Sequence, residues 1–184
     1  MKKLSQINEA QNIPNSVKEE IIVELKNALK EEFNAWYGYM IVREWLVGVC
    51  RPEIVKAYDE LAEDELKDHA YWLMKRINEL GGTIQDISNS PSLWGNANHP
   101  YVAPIWVNKT TNKDDICIPI KESLIINIEN ERGAIETYNH LIDITNNVDW
   151  TTNSKCKDIL ADEEEHLNIL QEFLDDINNM DIEK

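Results

Sequence analysis

Six side chains carry the chemistry open to this sequence: Glu32, Glu65, His69, Glu131, Glu163 and His166. They fall in two copies of one pattern. Glu-x-x-Ala-x-x-x-Tyr occurs at Glu32, Ala35 and Tyr39 and again at Glu131, Ala134 and Tyr138, and some thirty residues after each comes a Glu and a His one helical turn apart. Together they make a donor set for two divalent cations inside a helical bundle, four negative charges balancing four positive ones. Carboxylate oxygen with one imidazole per ion and no thiolate favours iron or manganese over zinc, with iron the better match. Glutamates can bridge two ions and change their mode of attachment between M(II) and M(III), which suits two-electron oxidation by dioxygen or peroxide.

The elements that must position these groups are helices. Ser16-Val-Lys-Glu19 has the form of a capping box, and apolar residues follow at helical spacing through Ile22, Leu25, Leu29, Trp36, Tyr39 and Trp45. A first helix is therefore expected over about 17–47. Gly48 can end it, and Pro52 suits the first turn of a second helix over 52–80, with Val55, Tyr58, Leu61, Ala62, Leu73, Ile77 and Leu80 on one stripe up to Gly81-Gly82. From 83 to 118 the periodicity disappears among Pro91, Pro100, Pro104, Trp94 and Trp106, which reads as a long crossover travelling the length of a helix. A third helix is expected over 119–145 and a fourth over 153–178, joined by a short turn. One domain, all-α, spans residues 1–184 in this reading, as a four-helix bundle with a long crossover between its second and third helices.

Within these helices the acidic residues of the pattern stand where core residues belong. Glu32 lies in register with Leu25, Leu29, Trp36 and Tyr39, and Glu131 with Leu124, Ile128, Ile135 and Tyr138. Glu65 and His69 continue the row from Tyr58, Leu61 and Ala62, and Glu163 and His166 the row from Ile159 and Leu160. Burying ionised carboxylates costs several kcal/mol each unless charge compensates them. Arg43 and Arg76 are the nearest interior cations, and two arginines cannot neutralise four glutamates. Asp162, Glu164, Glu165 and Glu31 flank the pattern on other helix faces and read as solvated surface charges. Tyr39, Tyr138, Trp36 and Trp72 are placed either for core packing or beside the ions, and Cys156 reads as a small buried hydrophobe.

Composition closes off other classes. A formal charge of −16 and the lack of clustered Lys and Arg, beyond Lys2 and Lys3, argue against nucleic-acid binding. No apolar run approaches the roughly 20 residues of a membrane span, and the start lacks the apolar middle of a secretory signal. The expectation is a cytoplasmic protein with no membrane partner. Cys50, Cys117 and Cys156 are odd in number and widely spaced, so reduced thiols are expected.

With these residues assembled, the chain resembles the ferritin-like superfamily across all four helices, most closely the Dps-like mini-ferritins that carry a bacterioferritin-type dimetal site. The segments EEFNAWYGYMIVREWLVG, ELKDHAYWLMKRINELGG, ERGAIETYNHLIDIT and ILADEEEHLNIL carry the resemblance. It implies the six residues above as ligands, with Glu65 and Glu131 or Glu32 and Glu163 dividing the bridging and terminal roles. It also implies a hollow homo-oligomer of twelve subunits that takes up Fe²⁺ and reacts it with peroxide or dioxygen. Three departures qualify this. Bacterioferritins have Glu-x-x-His in the second helix, whereas Glu65-Leu-Lys-Asp-His69 is one residue longer, a spacing that a regular helix face or a local π-bulge can accommodate. The haem-binding methionine that follows that glutamate in bacterioferritins is Leu66 here, so no haem is expected. The cysteine pair of thioferritins aligns with Gly133 and Ile142, which speaks against thiol-coupled peroxide chemistry.

Three functions compete on this footing. The first is an iron-storing, iron-detoxifying ferroxidase. The second is a non-storage di-iron or di-manganese oxidoreductase, such as a manganese catalase or small-molecule oxygenase, on the same bundle. The third is a structural or DNA-protecting bundle without metal chemistry, which the absence of a Lys-rich tail weakens. The unequal Glu–His spacings further predict that the two metal positions differ and load stepwise.

Overall fold

The computed structural model describes residues 13–84 and 118–182, so the Met1–Asn12 tail and nearly all of the expected crossover, with Trp94, Trp106 and Cys117, lie outside the described residues. In chain order the elements are α1 (Asn15–Trp45), β1 (Leu46–Val47), α2 (Arg51–Asp64), a π-helical turn (Glu65–Ala70), α3 (Tyr71–Glu79), β2 (Ile118–Pro119), α4 (Ile120–Thr145) and α5 (Trp150–Ile182). The π turn joins α2 and α3 without a break, giving four long rods that pack as a four-helix bundle.

Helix ends follow local physics that the sequence pattern only partly showed. The capping box at Ser16 is not used: α1 already starts at Asn15, where Lys18 N–H donates to Pro14 O at 2.9 Å and no side chain caps the end. At the other end α1 stops at Trp45 because Leu46 and Val47 leave the helix to pair, in parallel, with Ile118 and Pro119. Gly48 then turns the chain at φ 141°, a conformation L side chains rarely adopt, and a Cβ there would meet Ile120 Cδ1 at 3.2 Å. Pro52 occupies the first turn of α2, as its fixed φ allows. Between α4 and α5, Asn147 takes the left-handed conformation and Asp149 caps α5, accepting Thr152 N–H at 3.1 Å. The fourth helix consequently starts three residues before the expected 153.

Two apolar clusters fill the bundle. One gathers Ile21, Leu25, Leu29, Leu73, Ile77, Tyr138, Leu141, Cys156 and Ile159, and the other Tyr39, Val42, Ile54, Tyr58, Leu61, Leu124, Ile128 and Leu170. Along each of the four rods the polar residues of the pattern, six in all with Glu65 and His69 in the π turn, fall between the segments feeding one cluster and those feeding the other, where burial is nearly complete. Arg76 and Asp149 form a second buried polar contact, with two N–H···O bonds of 2.7 and 2.8 Å and a third from Arg76 Nε to Thr152 Oγ1 at 2.8 Å. Arg43 pairs at the surface with Glu44 and Asp59. Neither arginine is spent on the central glutamates.

Candidate metal centre

Each rod delivers its share of the centre from an inward stripe. α1 contributes Glu32, the π turn Glu65 and His69, α4 Glu131, and α5 Glu163 and His166; none is more than 4 % exposed. The π turn answers the spacing anomaly. Its i→i+5 hydrogen bonding widens the turn, so Glu65 and His69, four apart, come back into register and His69 Nδ1 stands 3.1 Å from Glu65 Oε2. On α5 an ordinary helical turn brings His166 and Glu163, three apart, to the same centre.

The side chains sort into two overlapping sets. Glu32, Glu65, His69 and Glu163 each bring one ligand atom within 4.8 Å of the others, and so do Glu65, Glu131, Glu163 and His166. Glu65 and Glu163 belong to both sets. His69 Nδ1 lies 3.2 Å from Glu32 Oε2 and 3.2 Å from Glu163 Oε1, and His166 Nδ1 lies 3.3 Å from Glu65 Oε1. Adjacent donors about 2.1 Å from an octahedral ion stand about 3 Å apart, so these spacings suit a small divalent cation. The two imidazoles stack, ring centroids 5.9 Å apart.

The charges do not balance within the protein. Burial works against protonation of His69, but the charge of Glu32, the close contact with Glu163 and the hydrogen bonds His69 makes to Glu32 and Glu65 overcome it and raise its pKa. Burial likewise opposes protonation of His166, but Glu163 and Glu65 carry it up to about 12. Two imidazolium ions then face four carboxylates. Burial, followed by the charges of Glu163 and Glu65, pushes Glu131 well above the usual carboxylate range. Burial and Glu65 oppose ionisation of Glu163, yet the two imidazoles beside it, 3.2 and 3.7 Å away, hold it below that range. Among the described residues no lysine or arginine forms an ion pair with any of the four glutamates. Glu65 Oε1, both carboxylate oxygens of Glu163 and His166 Nδ1 are buried without a hydrogen-bond partner. Orphaned atoms of this kind carry a cost unless something binds them. All of them face the same centre, and as oxygen and imidazole donors they fit a pair of divalent cations.

Around this centre lies a set of partners arranged crosswise. Tyr39, on α1, donates its hydroxyl to Glu131 on α4, while Tyr138, on α4, donates to Glu32 on α1. Burial and the adjacent glutamate raise the pKa of both phenols. The histidines show the same exchange: His69 Nε2 lies 3.3 Å from Asp162 Oδ2 on α5, and His166 Nε2 lies 3.6 Å from Asp64 Oδ2 on α2. Asp162 is thus not the free surface charge its helix face suggests. It is half-exposed, but it fixes the outer nitrogen of His69 and turns Nδ1 inward. The available signal was that an Asp precedes the glutamate in both copies, Asp64-Glu65 and Asp162-Glu163. Cys156 is fully buried in the apolar cluster beside Tyr138, and burial pushes its thiol up to about 12. Trp36 and Trp72 pack, half-buried, against the two clusters.

Comparison with known proteins agrees with this architecture. No curated protein matches the chain at a significant level. Among solved structures, a dodecameric thioferritin, the bacterioferritin-related protein of Bacteroides fragilis, superposes with a TM-score of 0.71 at 30 % identity, over 95 % of this chain and 94 % of that one. A ferritin-like diiron-carboxylate protein of Bacillus anthracis strain Ames gives 0.64 at 23 % identity, covering 86 % of this chain and 97 % of its own. The bacterioferritin of Rhodobacter capsulatus, described with a metal-free dinuclear site and haem iron, gives 0.63 at 19 % identity over 88 % and 87 %. At those identities the last two speak to the fold. The ferritin-like domain family matches residues 22–180, nearly the whole chain, and this protein belongs to that family.

Proposed function

We propose that the chain is a Dps-like mini-ferritin, a ferroxidase that takes Fe(II) as substrate, oxidises it with peroxide or dioxygen at a dimetal centre within each subunit, and stores the ferric product in a hollow homo-oligomer. The observation that carries this reading is the pair of overlapping donor sets sharing Glu65 and Glu163. In this reading Glu65 and Glu163, which belong to both sets, would be shared by the two ions, Glu32 and Glu131 would each serve one, and His69 and His166 would bind through Nδ1. Two Fe(II) ions held side by side can each give one electron to a single oxidant. With peroxide, two electrons and two protons yield two waters and two Fe(III). The protein holds the ions adjacent, orients the imidazoles through Asp162 and Asp64, and fixes the terminal carboxylates through Tyr138 and Tyr39.

A twelve-subunit assembly draws support from the relative described as a dodecameric thioferritin. Thiol coupling is left out, because Gly133 and Ile142 stand where the resemblance places cysteines. Manganese can use the same donors, and Leu66 offers haem no axial ligand. Among the described residues no helix is long and apolar enough to cross a membrane, and a cytoplasmic site of action is part of the proposal.

The test is an anaerobic Fe(II) titration followed by peroxide or oxygen, with a catalase control to separate the oxidants. The expected result is Fe(III) absorbance saturating at two irons per subunit before mineral growth, from a species near twelve times 21.4 kDa by size-exclusion chromatography. Absence of Fe(III) formation would sink the ferroxidase reading, and a monomer or dimer would turn it towards a non-storage oxidoreductase.

A further inference from the structure

The crosswise tyrosines look equivalent, but what stands behind them differs. Tyr39 packs against a second buried tyrosine, Tyr58 of α2, with ring centroids 5.0 Å apart and planes tilted by 54°. Tyr58 is itself tethered. Its hydroxyl shares a 2.8 Å hydrogen bond with Ser123 Oγ on α4, and Asn127 Nδ2 donates to the same Oγ at 3.5 Å. Tyr39, Tyr58, Ser123 and Asn127 are all buried, so two rods, α2 and α4, hold the ring that aims the Tyr39 hydroxyl at Glu131. Tyr138 has no such brace: among the described residues no aromatic ring stacks on it, and Cys156 is a small neighbour in its cluster. The histidines differ in the same sense. His69 Nδ1 hydrogen bonds to Glu32 and Glu65, whereas His166 Nδ1 has no hydrogen-bond partner.

We propose that Tyr58, tethered through Ser123 and Asn127, is a positioning residue that pre-organises Glu131, so that the Glu131–His166 position binds its divalent cation first and more tightly than the Glu32–His69 position. This rests on the dimetal reading above and adds to it an order of loading and the residue that sets it. A donor already held where the ion needs it loses little freedom on binding. Both imidazoles shed a proton when they take an ion, but His166 Nδ1 makes no hydrogen bond, while a cation at His69 must also displace two. Partners one shell removed from a metal ligand change affinity about 10- to 100-fold. Because Tyr58 acts through Tyr39 onto Glu131, about tenfold is the expected size.

The experiment is a Co(II) titration of the metal-free full-length protein, followed by visible ligand-field absorption and by calorimetry, with no turnover involved. Wild type should load in two steps about tenfold apart. Glu131→Gln should abolish the tighter step and Glu32→Gln the weaker. Tyr58→Leu should weaken the tighter step about tenfold and leave the weaker in place, merging the two. Tyr58→Phe and Ser123→Ala, which keep the packing and cut only the tether, should produce a smaller shift of the same step and remain informative if the Leu variant misfolds. Equal loading in wild type, an unchanged tighter step in the folded Tyr58 and Ser123 variants, or equal shifts of both steps would overturn the proposal. No Co(II) binding by wild type would instead overturn the dimetal reading itself.

Discussion

The charge imbalance at the centre leads to a prediction that runs against intuition: removing a proposed metal ligand should stabilise the metal-free protein. Glu131→Gln is the instructive change. Gln keeps an oxygen to accept the Tyr39 hydroxyl and has nearly the same volume, but it removes one of four carboxylates facing two imidazolium groups. Glu131 ionises reluctantly because it is buried and because Glu163 and Glu65 lie beside it. Its folded pKa lies above the ordinary value of 4.5, so its contribution to stability is fully present below 4.5 and is lost as pH rises through the raised value. At neutral pH the wild type therefore carries a cost that Gln does not. Uptake of a proton limits that cost, so roughly 1–3 kcal/mol is a fair range for a poorly satisfied buried group. For a chain of this size each kcal/mol shifts the melting temperature by about 2–4 °C, giving a rise of roughly 2–12 °C. The assay is thermal unfolding by circular dichroism with chelator present, at fixed protein concentration because an oligomer's midpoint depends on it. With Co(II) at a hundred times Kd the wild type should gain about 2.7 kcal/mol per occupied site, and the variant should forfeit one such gain. The ranking then inverts between metal-free and metal-loaded protein wherever the metal-free advantage is below about 2.7 kcal/mol. A variant that melts at or below wild type without metal at pH 7, or whose gain does not shrink as pH falls towards 4.5, would refute the reasoning.

Other consequences can be checked alongside. Arg76→Leu strands Asp149 in the core and at the start of α5, and should cost about 3–5 kcal/mol in chemical denaturation, with part recovered by adding Asp149→Asn. Burial opposes ionisation of Asp149, but Arg76 and Thr152 lower its pKa below 3.8, so its stabilisation is present above 3.8 and lost as pH falls through the lowered value; Asp149→Asn should flatten that acid limb in a pH series of melts. Asp162→Asn should weaken Co(II) at the His69 position about 10- to 100-fold while leaving the His166 position near wild type, a cross-helix effect that calorimetry resolves. Deleting Lys67 should turn the π segment into ordinary α-helix, restore a three-residue Glu–His spacing and keep a stoichiometry of two cations per chain; loss of one cation would show that the wide turn is needed for binding.

The residues that could be read from sequence were those whose chemistry contradicted their surroundings. Glu32 amid Leu25, Leu29 and Tyr39, or Glu131 amid Leu124, Ile128 and Tyr138, stands out because a carboxylate on an apolar stripe is costly, and the structure buries both. What escaped depended on contacts distant in sequence or on local exceptions. The end of α1 is set by pairing of Leu46 and Val47 with Ile118 and Pro119, about seventy residues away, and no local propensity encodes that. The start of α5 was legible in principle, since Asp149 with Thr152 three residues on is a capping pair, but the asparagines around it dilute the signal. Asp162 escapes a sequence reading because a half-exposed helix position looks solvated until the imidazole of another rod is known to reach it. The π turn was visible only as an odd spacing, because a π-bulge has no composition signature of its own.

The opening repeat holds more topology than its ligand count suggests. A Glu and a Tyr seven residues apart lie on nearly one face two turns apart, so two such helices set antiparallel bring each Tyr opposite the other helix's Glu. In an antiparallel pair the residue numbers of facing partners add to a constant, and Tyr39 with Glu131 and Tyr138 with Glu32 both total 170. That agreement makes α1 and α4 antiparallel neighbours related by an approximate two-fold through the centre. Applied to the histidines, the same rule gives 231 for His69 with Asp162 but 230 for His166 with Asp64. The discrepancy of one is the extra residue between Asp64 and His69, absorbed by the π turn. The wide turn is therefore what lets an insertion in one half leave the two-fold arrangement of donors intact. An inequality between the two metal positions then arises in how the donors are held: in the hydrogen bonds of His69 Nδ1, which His166 Nδ1 lacks, and behind the donors, where Tyr58 stands on one side and Cys156 on the other.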